Sequence, residues 1–199
     1  ALGIFLELDG IEANLYGQIV QQRMHVLRIL REKVDHNARE KAIQQYLFNH
    51  LWLLDPSWER AEATEIMETR VTNMFSKVST QLTDEENKGR LDIGYRKTAG
   101  KHVIVELKRP ERIVTIAELI AHVGKYRSGM MRILQQQGNP HEPIEFVILL
   151  GKPPRDWQDI GGQNSGEKAL EGYGARIVYF DELLLNAEKA YRDYLTQQS

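Results

Sequence analysis

Along the chain, apolar positions recur first at helical and then at strand spacing. Leu2, Ile4, Leu6 and Leu8 alternate with other residues, which predicts a short strand over 1–8. From Ile11 to Val34 the period changes. Leu15, Ile19, Met24, Val26, Leu27 and Leu30 form a broad stripe that predicts a helix. Asp35-His36-Asn37 interrupts it, with Asp35 or Asn37 placed to cap the next helix, 38–54, whose apolar face holds Ile43, Tyr46, Leu47, His50, Leu51 and Leu54. Asp55-Pro56-Ser57 is a turn, and 58–82 carries no clear period.

Two runs with a period of two follow. Leu91, Ile93 and Tyr95 alternate with Asp92, Gly94 and Arg96; Val103, Val105 and Leu107 alternate with His102, Ile104, Glu106 and Lys108. Thr98-Ala99-Gly100 between them suits a three-residue hairpin loop. That loop sets Asp92 opposite Glu106 and Ile93 opposite Val105, and makes one face of the hairpin wholly apolar. The other face then brings the Asp92 and Glu106 carboxylates together, with Lys108 beside them. Carboxylates this close repel unless a cation lies between them, and a hard divalent ion fits.

Beyond Pro110, which ends the strand, Thr115 and Glu118 have capping-box spacing. Ile116, Leu119, Ile120, Val123, Tyr126, Met130 and Leu134 predict a helix closed by Gly138-Asn139-Pro140. His122 and Tyr126 share one of its faces. Ile144–Leu150 is apolar enough for a central strand. A short helix around 167–170, a strand over 175–180 and a helix over 181–195 complete the chain. This order predicts an α/β fold, a mixed central sheet flanked by helices. Two parts are expected: 1–37 as a linker or pairing segment, and 38–199 as the domain carrying the chemistry.

The hairpin resembles the signature of the PD-(D/E)XK nuclease superfamily: Asp92, then Glu106-Leu107-Lys108. Val103 to Pro110, together with Glu40, Gln45-Tyr46-Leu47 and His50 to Leu54, looks like the Shedu-type antiphage nuclease branch, over roughly residues 38–182. The resemblance implies a restriction-endonuclease-like αβββαβ core, with the first core strand within 58–82. It also implies a Mg2+-dependent endodeoxyribonuclease, with Mn2+ able to substitute, acting in antiphage defence as a homo-oligomer. Asp92, Glu106 and Lys108 become the catalytic set, and Asp92, Glu106 and the Leu107 carbonyl the metal ligands. Glu40 becomes a third carboxylate for the metal, although a glutamate there also favours a helix N-terminus. Where the Shedu-type pattern usually has Gln, this chain has His122, which either contacts phosphate or the attacking water, or is a hydrogen-bonded helix histidine.

Composition adds three constraints. The net charge is −2, yet the segment from Lys88 to Arg132 carries eleven basic and four acidic residues. Arg90, Arg109 and Lys125 in this segment, with His122 and Tyr126, are the candidate contacts to DNA as a polyanionic substrate. The bland alternative is an ordinary solvated surface. There is no cysteine, which excludes disulfides and thiolate metal sites and fits a cytoplasmic protein. No run of 18 apolar residues predicts a membrane span. The chain starts at Ala1, so an upstream sensor or ATPase domain is also expected. A nucleic-acid-binding or interaction module of the same fold, without turnover, is the competing reading.

Overall fold

The computed structural model describes residues 2–54, 93–98, 101–159 and 161–197. The elements are α1 (Leu2–Asp35), α2 (Glu40–Asn49), a 3-10 turn (Leu51–Leu53), β1 (Ile93–Thr98), β2 (Lys101–Leu107), α3 (Ile116–Gln136), β3 (Ile144–Leu150), a 3-10 turn (Arg155–Gln158), α4 (Gly162–Gly172), β4 (Ala175–Tyr179) and α5 (Phe180–Gln197).

The four strands form one sheet in the order β1-β2-β3-β4. β1 runs antiparallel to β2, while β2, β3 and β4 are parallel. Helices cover both faces, as the crossovers of a parallel sheet require. On one face Val103, Val105, Leu107, Val147 and Leu149 pack against Leu27 and Leu30 of α1, Ile43 and Leu47 of α2, and Phe180 and Leu184 of α5. On the other, Ile104, Phe146, Ile148 and Leu150 meet Leu119, Val123, Met130 and Leu134 of α3, with Leu170 of α4. The chain is therefore a mixed α/β structure with helices on both sides of its sheet.

Three sequence expectations change. Residues 2–8 are not a strand but the start of α1. Extending an existing helix needs no second nucleation, whereas a strand there would have to pair with another strand. The helix expected over 38–54 ends at Asn49, and His50 leaves helical geometry at φ −138°, ψ 53° before the 3-10 turn. The hairpin register is shifted by one: Ile93 pairs with Glu106, Gly94 with Val105 and Thr98 with Lys101. Only Ala99 and Gly100 separate the paired strands. The expected pairing of Asp92 with Glu106 is thus replaced by Ile93 with Glu106. The argument from one apolar face fails because β2 is buried on both faces, so alternation along it carries no register information.

Two helix ends matter for the site. α1 closes with a Schellman arrangement, in which Ala38 N–H bonds to Lys33 O at 2.9 Å and Asn37 N–H to Val34 O at 3.0 Å. Asn37 takes the left-handed position at φ 48°. It does not cap α2, whose N-cap is Arg39 without a side-chain bond. α3 begins as expected, with Glu118 N–H donating to Thr115 Oγ1 at 3.2 Å. The expected first core strand within 58–82 lies outside the described residues. Among the described residues no helix is long and apolar enough to cross a membrane.

Candidate functional site

Glu106 is the next-to-last residue of β2, and Lys108 follows the strand's end. Lys108 N–H continues the ladder by donating to Leu149 O at 3.0 Å. The two side chains are therefore in strand register and leave the same face. His122 comes from α3, on the turn after Glu118, and closes over that face.

Both acid and amine are buried: Glu106 is 3% exposed and Lys108 5%. Lys108 Nζ lies 2.7 Å from Glu106 Oε1, and His122 Nδ1 lies 2.9 Å from the same oxygen. A carboxylate only accepts, so Nδ1 carries the hydrogen it donates. The 3.4 Å separation of Lys108 Nζ from His122 Nδ1 is then the approach of two donors sharing one oxygen. Burial alone would raise the Glu106 carboxyl above its usual range. The His122 hydrogen bond and the Lys108 ammonium outweigh it and hold the group below that range, hence ionised.

The second oxygen is different. Glu106 Oε2 is buried and has no hydrogen-bond partner among the described residues. An ionised oxygen in that state is costly to leave unpaired, and a cation is the ligand that would satisfy it. Hard-cation chemistry fits this oxygen and the backbone carbonyl of Leu107, the next residue. The Leu107 side chain points into the core on the opposite face. Asp92 and Arg90 lie outside the described residues. Among the described residues no group of three or more His, Cys, Asp or Glu side chains is gathered.

Glu40 sits in the first turn of α2. Its Oε1 accepts the Arg109 N–H at 2.9 Å, one residue beyond Lys108, and lies 4.0 Å from Arg112 Nη1. It therefore holds the chain leaving the site. Arg109 is exposed, and its Nη2 donates to Asn37 O at 2.9 Å. Lys125 and Tyr126 lie on α3 past His122; both are half-buried, and Tyr126 packs on the core. Much of the basic segment is already paired: Arg112 with Glu118 at 2.6 Å, and Lys101 with Glu145 at 2.8 Å.

Sequence reasoning missed two residues that position the site. Asn37 Oδ1 accepts the Glu111 N–H at 3.2 Å, so the end of α1 clamps the segment after Lys108. Gly151 lets β3 leave beside β2; a Cβ there would stand 2.1 Å from Pro110 O. Asn at a helix end and Gly after a strand are visible signals, but neither names its distant partner.

No protein-family model and no curated protein matches this chain.

Proposed function

We propose that the protein is a metal-dependent nuclease that hydrolyses phosphodiester bonds of DNA on a restriction-endonuclease-like core. One observation carries the reading: a buried, ionised Glu106 with one oxygen held by Lys108 and His122 and the other unpartnered among the described residues. The motif order supports it, with acid and lysine at the end of a hairpin strand and a helix returning to cover them.

In this reading Glu106 Oε2, the Leu107 carbonyl and Asp92 hold Mg2+. The metal, when bound, lowers the pKa of water and offsets phosphate charge. Lys108 keeps an ammonium next to Glu106, where it orients the attacking water and stabilises charge developing on the phosphate oxygens. His122 fixes the Glu106 carboxylate in one orientation by occupying Oε1, which leaves Oε2 as the oxygen for metal. The Glu40–Arg109 and Asn37–Glu111 bonds hold the segment that follows Lys108, so the amine is presented from a tethered strand end. With the Shedu-type resemblance, we propose a role in antiphage defence for this activity.

The test is cleavage of supercoiled plasmid by the purified chain in millimolar Mg2+ or Mn2+, against an EDTA control. Metal-dependent nicking or linearisation that disappears in Lys108→Ala supports the proposal. A wild-type chain that leaves DNA intact under all these conditions overturns it.

The second reading is a nucleic-acid-binding or interaction module without turnover. The 2.7 Å Lys108–Glu106 ion pair favours it, because that pair already neutralises the acid. Mn2+ titration followed by electron paramagnetic resonance separates the two, since a self-satisfied cluster binds no Mn2+.

A further inference from the structure

α1 is 34 residues long, and its second half is built into the core. Its buried residues, among those described, are Val20, Leu27, Leu30 and Val34. Ahead of them the helix exposes large apolar side chains: Leu15 is 54% exposed, Tyr16 46% and Ile19 44%. Leu15 and Ile19 belong to a longer row. Ile4, Leu8, Ile11, Leu15, Ile19, Gln22 and Val26 follow at steps of four, three, four, four, three and four. On a continuous helix these steps place all seven positions on one stripe, and the stripe is distinct from the one that buries Val20, Leu27 and Val34.

The spacing has two properties. It repeats after eleven residues, from Ile4 to Leu15 and from Leu15 to Val26, a period of 3.67 residues per turn that nearly straight helices satisfy. It is also palindromic about Leu15. Reversed, the row matches itself: Ile4 falls on Val26, Leu8 on Gln22, Ile11 on Ile19 and Leu15 on Leu15.

The charges follow the same reversal. Residues 1–22 contain Glu7, Asp9 and Glu12 and no basic residue, whereas 23–35 contain Arg23, Arg28, Arg31 and Lys33 against Glu32 and Asp35. Parallel pairing would set acidic half against acidic half. Antiparallel pairing sets acid against base, with Glu7 of one copy opposite Arg23 of the other. Beside the second half of the row lies a groove of about 570 Å³, lined by Tyr16, Ile19, Arg23, Val26, Trp52 and Tyr191. Arg23 is held there, 4.7 Å over the Trp52 ring.

We infer that α1 pairs antiparallel with α1 of a second copy of this chain, about a two-fold axis at Leu15, with residues 4–11 of each copy seated along the partner's groove. The seam runs from residue 4 to residue 26, about 33 Å at a rise of 1.5 Å per residue. A two-fold contact uses the same surface twice, and a palindromic row with opposed charges is self-complementary in this sense. The inference does not depend on the nuclease reading.

Light scattering on the full chain tests the pairing, and disulfide trapping tests its direction. The chain has no cysteine, so single introduced thiols are unambiguous. The wild type is expected to be a dimer. Leu15→Lys, which sets two ammonium groups face to face, should raise the dimer dissociation constant by about a hundredfold or more while leaving the circular dichroism spectrum unchanged. Under mild oxidant Leu15→Cys should cross-link to itself. A mixture of Ile4→Cys and Val26→Cys chains should cross-link to each other, while Ile4→Cys alone should not. A monomeric wild type, or a Leu15→Lys chain that dimerises like the wild type, overturns the inference. Cross-linking of Ile4→Cys to itself overturns the antiparallel arrangement.

Discussion

His122 Nδ1 donates to Glu106 Oε1 across 2.9 Å, and this bond joins α3 to the end of β2 at a carboxylate that is almost wholly buried. The bond uses one oxygen of Glu106, and the other has no partner among the described residues. It also gives each residue of the cluster a separable, measurable role.

Lys108→Ala should abolish cleavage and also destabilise the fold. Removing one partner of a buried pair leaves an uncompensated charge, a cost of about 3 kcal/mol. Denaturant unfolding of the variant checks the size. The Glu106→Gln, Lys108→Met double variant should recover most of the stability while staying inactive, because no buried charge remains. A Lys108→Ala chain that keeps wild-type stability would mean that the 2.7 Å pair does not form in solution.

His122→Gln should keep most of the wild-type stability, because its side-chain amide can also donate to Glu106. His122→Ala should lose about 1 kcal/mol, a modest figure because the imidazole is partly exposed. Thermal melts of the two variants at neutral pH rank them. Equal losses would show that the hydrogen bond contributes nothing beyond packing.

Glu106 also makes stability depend on acid. Its folded pKa is lowered, so its contribution is fully present above the ordinary carboxylate value of 4.5 and is lost as pH falls through the lower folded value. Stability measured from pH 7 downward should fall less steeply below 4.5 in Glu106→Gln than in the wild type. Glu145, whose carboxyl is also held below its usual range despite the opposing effect of burial, by Lys101 and Arg176, supplies a remaining slope in both. Superimposable profiles would count against an ionised, paired Glu106.

Gly151→Ala should be among the most damaging single-methyl changes in the chain. The added Cβ would stand 2.1 Å from a backbone oxygen, and backbone on both sides must shift. A loss of about 3 kcal/mol is expected, read as a lower urea midpoint. Gly138→Ala meets no atom within 4 Å and acts only through its left-handed φ of 79°, so its loss should be smaller, about 1 kcal/mol.

The sequence by itself determined most of the described elements and the shared face of Glu106 and Lys108. Ile144–Leu150 is the strand its continuous apolar run predicts, because a strand covered on both faces has no polar side. α3 starts at its Thr115 cap and ends in the Schellman turn of Gly138 and Asn139. Glu106 and Lys108 share a face because strand geometry makes i and i+2 neighbours. These are local consequences of period and turn chemistry. Tertiary structure decided what local rules leave open. The hairpin register was not legible, because a strand buried on both faces can slip by one residue without exposing apolar surface. Residues 2–8 joined a helix because propagation needs no partner, while a strand does. His122 was visible only as a histidine on a helix; its bond to Glu106 arises because α3 crosses the end of β2. Glu40 and Asn37, distant in sequence, hold the chain after Lys108 because the end of α1 and the start of α2 pack beside it. Each of these depends on which elements become neighbours, and that is settled by burial of the whole core.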